Sequence, residues 1–219
     1  MFSANPPLVE IENFDPAVVG ANQVLVHHTH THVSAGTEAN FLRFGPASYG
    51  LPEGLPRANI GYMAVGRIVA VGRDVQGFTV GDRVTTSTPH ASHSLVEVTP
   101  TAPIDHVPEN VTDEAACFVA LGDVALHAVR RGALQIDQSV AIFGLGLVGQ
   151  LVVQLARNSV AYPLIAIDLV DERLEQARKG GATHTINAAR EDVVQRVKAL
   201  TDGIGAEAVF HCAQAASIL

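Results

Sequence analysis

The 219-residue sequence predicts an α/β chain in two parts. The first half holds short strands; in the second, helices alternate with the strands of a parallel sheet. Three observations carry this. Residues 8 to about 110 contain short Val- and Ile-rich runs broken by Gly, Pro, Asn and Asp. Residues 139–168 read strand, glycine turn, helix, strand, acid. After Asp168 the pattern continues as helix, strand, helix, strand. Four strands of the second sheet can be placed, where a complete doubly wound nucleotide domain has six.

In the first half, Gln23-Val24-Leu25-Val26-His27 starts a strand, and residues 61–75 supply a second. Residues 78–84 form a turn leading into a third, and Ser94-Leu95-Val96-Glu97-Val98 alternates before Pro100. Short strands at this spacing predict a small β-barrel or sandwich. His28, His30 and His32 would share one face of an unbroken strand. No cysteine or carboxylate in that run completes a ligand set, so a solvated strand face is the expectation. His90 and His93, three apart in a Pro/Ser/Thr-rich loop, are not assigned to catalysis.

Thr112 is the expected cap of a helix with Asp113 and Glu114 in its first turn, and one or two helices run on to Arg131. The domain boundary is placed between residues 124 and 125, giving domains 1–124 and 125–219. Val140-Ala141-Ile142-Phe143 then leads into Gly144-Leu145-Gly146-Leu147-Val148-Gly149. Gly144 permits a tight turn, Gly146 lets a pyrophosphate approach the backbone, and Gly149 lets the helix pack closely. The first helical N–H groups, those of Leu147 and Val148 among them, face the phosphates at the positive end of the helix dipole. Asp168 lies nineteen residues past Gly149, at the end of the next strand, where its carboxylate can accept the adenosine ribose hydroxyls. A 2′-phosphate there would meet a like charge, so NAD is favoured over NADP. Arg173, in the following helix, reaches toward the adenosine or forms a surface ion pair. Residues 191–200 predict an amphipathic helix with Val193, Val194, Val197 and Leu200 on one stripe, followed by a fourth strand over 206–212.

The segment Gly66-Arg67-Ile68-Val69-Ala70-Val71-Gly72, continued by Phe78-Thr79-Val80-Gly81-Asp82-Arg83-Val84 and followed by the glycine turn, resembles the medium-chain dehydrogenase/reductase, or zinc-type alcohol dehydrogenase-like, family. The resemblance implies a GroES-like β-barrel domain followed by a Rossmann domain, here partial. It implies an NAD(P)-dependent oxidoreductase that moves a hydride between nicotinamide and an alcohol/carbonyl substrate. By the same resemblance a C-terminal portion is missing.

Zinc-using members of that family carry a Cys-Gly-Thr-Asp segment and a Gly-His-Glu segment. Here these read Ala35-Gly36-Thr37-Glu38 and Gly61-Tyr62-Met63, and the third ligand position falls on Val119. Ala and Val cannot ligate a metal and neutral Tyr is a poor zinc ligand. The resemblance therefore implies a zinc-free branch with no metal residues. Its proton chemistry falls to Thr37, in the position of the family's relay hydroxyl, and Tyr62, in place of a ligand. The alternatives are a quinone or enoyl reductase, or a non-catalytic NAD-binding or assembly module with an incomplete nucleotide domain.

Composition bounds the rest. A formal net charge of −8 does not suggest a nucleic-acid partner. Hydrophobic content of 47% with charged content of 16% describes a foldable chain. Two distant cysteines, Cys117 and Cys212, offer no disulfide framework, and the first seven residues lack a secretory pattern. A cytoplasmic protein with a small-molecule substrate and no membrane contact is expected. It would be a homo-oligomer, or would have a partner chain completing the sheet.

Overall fold

The computed structural model describes residues 2–3, 8–14, 18–45, 59–159 and 161–213, with 2–3 and 8–9 as backbone. The seven N-terminal residues read for a secretory pattern lie mostly outside the described residues. The chain divides into two compact units, Met1–Ala120 and Leu121–Leu219.

The first unit opens with a two-residue antiparallel pair, β1 (Phe2–Ser3) and β2 (Leu8–Val9). Its main sheet is built from β3 (Gln23–Thr31), β4 (Ala64–Val71), β5 (Arg83–Thr86), β6 (His93–Glu97) and β7 (Ile104–His106). They pair antiparallel in the order β6-β3-β4-β5-β7, a curled sheet of the GroES-like kind. Alternation sets its core: Val24 and Val26 of β3 are fully buried and pack with Ile68, Val84, Val96 and Ile104.

The resembling segment earns its residues locally. The Asp82 carboxylate accepts the Thr79 backbone N–H at 2.7 Å and the Thr79 hydroxyl at 3.0 Å, which fixes the turn before β5. The Arg83 guanidinium then donates twice to Asp113 Oδ1 and once to the Val111 carbonyl, clamping α2 (Asp113–Ala116) to the sheet. Thr112 caps α2 through the Ala115 N–H, as its position predicts.

Two features of this unit depart from the sequence reading. Residues 35–44, to which the sequence reading gave no element, form a ten-residue helix, α1 (Ala35–Phe44). The row of histidines is also broken. His28 pairs with Gly66 and His30 with the adjacent Val65, so Thr29 is an extra residue in a β-bulge. The two-residue alternation is lost there, and the solvated face does not form. His28 is buried, donating from Nδ1 to the Ala91 carbonyl at 2.9 Å, while His30 stays exposed beside Asp113 and Glu114.

The second unit carries β8 (Val140–Phe143), β9 (Leu164–Asp168), β10 (His184–Asn187) and β11 (Ala208–His211), all parallel, in the order β10-β9-β8-β11. This is the order of a dinucleotide-binding half-sheet with the first strand of the next half added. α3 (Val119–Gly132), which begins at the junction of the units, precedes these strands, and α4 (Leu147–Asn158), α5 (Asp171–Lys179) and α6 (Val193–Ala199) run between them. Both sheet faces are covered, which is why β8 is apolar throughout and β9 is apolar up to its last residue, Asp168. Val140, Ile142, Leu164 and Ala166 pack with Val152, Val153 and Ala156 of α4 and Leu174 of α5. Ala141, Ile165, Ile167 and Ile186 pack on the other side with Val197 of α6.

The predicted stripe on α6 is narrower than expected. Asp192 caps the helix through the Gln195 N–H, which sets the rotation that leaves Val194 64% exposed while Val193, Val197 and Leu200 face the core. No helix among the described residues is long and apolar enough to cross a membrane.

Candidate functional site

Two constellations are candidates for a functional site, one in each unit. In the second unit, β8 delivers the chain to Gly144, whose φ of +83° only glycine adopts without strain. Gly146 is the N-cap of α4, and no described side chain caps that helix end. Among the described residues a Cβ built on Gly146 meets nothing within 4 Å, so open space lies beside the first turn there, where Leu147 and Val148 present their backbone N–H groups. A Cβ on Gly149 would instead lie 1.9 Å from the Gly144 carbonyl oxygen. The close approach that Gly149 permits is thus first of all between helix and turn. An uncapped helix start beside free space fits a pyrophosphate.

Asp168 ends β9 directly under this turn and is 8% exposed. Its Oδ2 accepts the Leu145 N–H at 2.6 Å, and its Oδ1 accepts the N–H groups of Leu169 and Val170 at 2.8 and 3.0 Å. A carboxylate has about four acceptor sites, so one is open, on Oδ2. Arg173 Nη1 stands 3.7 Å from that oxygen and forms the ion pair that was one of its two predicted roles. Asp168 therefore holds the turn together before any ribose arrives. Gln150, which sequence reasoning missed, does the same from the helix, donating from Nε2 to the carbonyls of Leu145 and Arg173. Nothing in the sequence separates it from an ordinary helix glutamine.

In the first unit, Thr37 and Tyr62 come together although 25 residues apart, with Thr37 Oγ1 at 3.4 Å from Tyr62 Oη. Thr37 lies in the first turn of α1, and Tyr62 two residues before β4. The distance is long for an O–H···O bond. Each oxygen keeps capacity for a third partner. Beside them Glu38, 6% exposed, accepts the Ser34 backbone N–H at 2.7 Å, closing the first turn of α1. His90, unassigned by sequence, meets the same carboxylate, with Nε2 3.1 Å from Glu38 Oε2. A cavity of about 770 Å³ opens nearby, walled by Phe14, Ile60, His90 and Leu95 among others; Thr37 and Tyr62 are not on its wall.

At the positions where zinc-using relatives would carry ligands, the chain has a methyl at Ala35, a phenol at Tyr62 and an isopropyl at Val119, which is 53% exposed. Burial pushes the Cys117 and Cys212 thiols up, away from thiolate reactivity.

The zinc-binding dehydrogenase family matches residues 148–219. Sorbitol dehydrogenase of Bacillus subtilis is 30% identical over 182 residues, covering 70% of this chain and 52% of that protein. Quinone oxidoreductase of Pseudomonas aeruginosa is 30% identical over 204 residues, covering 90% of this chain and 60% of that protein. The solved structure of a quinone oxidoreductase from Pseudomonas syringae pv. Tomato DC3000 superposes with a TM-score of 0.75 at 26% identity, covering 91% of this chain and 61% of that one. The chain thus spans about half the length of the first relatives it matches. Curled antiparallel sheet, parallel nucleotide half-sheet and glycine turn agree with these likenesses, and the chain belongs to the medium-chain dehydrogenase/reductase family.

Proposed function

We propose that this chain carries the dinucleotide-binding and proton-handling parts of a zinc-independent oxidoreductase that moves a hydride between NAD and a small alcohol/carbonyl substrate. The observation that carries the reading is the Thr37–Tyr62 hydroxyl pair, at 3.4 Å, in the positions where zinc-using relatives have a relay hydroxyl and a metal ligand. When bound, the nicotinamide dinucleotide supplies the hydride acceptor or donor. Gly144, Gly146 and Gly149 shape the turn, and the N–H groups of Leu147 and Val148 face the pyrophosphate. Asp168 offers its remaining acceptor site to the ribose and repels a 2′-phosphate, with Arg173 beside it. Tyr62 Oη gives its proton to the substrate oxygen as a carbonyl is reduced and, as the phenolate, takes it back as an alcohol is oxidised, and the Thr37 hydroxyl supports the charge on that phenolate.

Tyr62→Phe tests this. Turnover should fall about 10²- to 10⁴-fold, the range of a lost general acid–base group, with NAD binding intact. Unchanged turnover would remove Tyr62 from the chemistry, and stoichiometric bound zinc by metal analysis would remove the zinc-free mechanism.

The 90% coverage by a quinone oxidoreductase favours a second reading, reduction of an activated C=C bond or quinone, which a panel of enones and alcohols separates. Tight NAD binding with no turnover on either panel would favour a non-catalytic module. Pairing with a second copy or a partner chain along β11, an edge strand among the described residues with Val209 half exposed, belongs to the same proposal and is read from the native mass.

A further inference from the structure

His90 belongs to neither constellation by sequence, yet it touches both of the segments that carry the hydroxyl pair. Its backbone N–H donates to the Ile60 carbonyl at 2.7 Å. Its ring lies flush against the next residue: a Cβ on Gly61 would fall 2.8 Å from His90 Cγ and Cδ2, and Gly61 has φ +95°. Tyr62 follows at once, so His90 fixes the backbone from which the phenol projects. Through Nε2 the same ring donates to Glu38, which follows Thr37 directly and is bonded to the N-cap Ser34. One imidazole thus spans from the Tyr62 segment to the first turn of α1.

The price shows at the other ring nitrogen. His90 Nδ1 is buried and has no hydrogen-bond partner among the described residues. Buried polar atoms are nearly always paired, and an exception calls for an explanation. Here the ring orientation that satisfies the buried Glu38 carboxylate and seats the ring on Gly61 leaves Nδ1 facing no donor.

We infer that His90 is a positioning residue, which sets the contact between Thr37 and Tyr62 through Glu38 on one side and Gly61 on the other. Its consequence for turnover rests on the reading of the hydroxyl pair given above. Its geometric content does not, and the two are tested apart.

The geometric test uses the full chain labelled at tyrosine ¹³Cζ, with Tyr62 told apart from Tyr49 and Tyr162 by Tyr→Phe variants. His90→Phe keeps a ring against Gly61 and removes the bond to Glu38. It should displace the Tyr62 signal and leave that of Tyr162, in the other unit, in place. Thr37→Val should displace the Tyr62 signal in the wild-type background and add nothing in the His90→Phe background, since the contact is already broken. His90→Gln, whose amide nitrogen takes the place of Nε2, should restore the wild-type signal. If His90→Phe fails to fold, His90→Gln against His90→Leu gives the same contrast. An unmoved Tyr62 signal in His90→Phe, or equal Thr37→Val displacements in both backgrounds, overturns the inference.

The kinetic test asks for a kcat lowered about tenfold to hundredfold in His90→Phe at unchanged KM, as a misplaced catalytic group gives, and recovered in His90→Gln. A raised KM at constant kcat contradicts the inference. If Tyr62→Phe leaves turnover untouched, the function of the pair is refuted while the spectrum still decides what holds it.

Discussion

Asp168→Asn separates two roles of one carboxylate. In the structure Oδ1 holds the N–H groups of Leu169 and Val170, and an asparagine carbonyl keeps both. Its amide nitrogen replaces Oδ2 and turns a donor toward the Leu145 N–H, which now has an acceptor at 2.6 Å. Leu145 is 1% exposed, so water cannot take over. A buried donor left unpaired costs about 1–3 kcal/mol, and bonds to a neutral acceptor are weaker than those to a carboxylate. The ion pair with Arg173 adds little, because the arginine is 54% exposed. The variant should lose about 2–4 kcal/mol of stability in the second unit with no dinucleotide present. Urea unfolding followed by circular dichroism reads this as a lower midpoint at constant m. NAD titration on the folded variant reads the second role, a lost ribose acceptor, separately. If the midpoint without NAD is unchanged and only affinity falls, the carboxylate serves the ribose alone, and its account as the tie of the turn is wrong.

The same packing sets the outcome of other substitutions. Gly149→Ala forces a Cβ to within 1.9 Å of the Gly144 carbonyl and should cost about 1–3 kcal/mol by thermal or urea unfolding, as overpacking does. Gly146→Ala meets nothing, so it should change stability by under about 1 kcal/mol while weakening NAD binding at least about tenfold; equal affinity would mean the pyrophosphate lies elsewhere. Burial holds the His28 imidazole below its ordinary range, so it is neutral in the native chain while the unfolded chain takes up a proton below about pH 6.5. Its share of stability is full above that pH and declines as pH falls toward the folded value, and His28→Asn should flatten the slope between about pH 7 and 5. The hydroxyl of Thr29, and after it the Arg83 guanidinium, hold the Asp113 carboxyl below the usual carboxylate range. That contribution is present above about pH 4 and lost as pH drops through the folded value, so Thr29→Val should move the acid unfolding midpoint upward.

The glycine turn was legible because a backbone constraint writes itself into residue type. Positive φ at Gly144 and the contact at Gly149 tolerate nothing larger, and a doubly covered strand must be apolar throughout. The helix α1 was not legible, because it buries only Glu38 and Phe41 and so shows no apolar stripe. The bulge at Thr29 is a matter of which residue opposes which, and neither strand shows it alone. Asp168 stands where the motif puts it, but three backbone N–H groups meet its carboxylate through the local path of the chain, which the motif does not encode. His90 and Glu38 are 52 residues apart and meet only once β-sheet and α1 are both in place, so no spacing rule finds them.

The floor of the glycine turn is laid by the far end of β11. Ala213 backs Gly144, Cys212 lies beside Gly149, and the Cys212 N–H bonds the Phe143 carbonyl at 2.7 Å. These residues leave the ribosome about sixty positions after the turn itself. During that interval β8 has β9 on one side only, and its other edge stays unsatisfied until β11 arrives in register with Val140 opposite Ala208. The glycine turn is thus completed only once β11 has followed it out, and its assembly waits on a long loop closure rather than on the turn's own propensity.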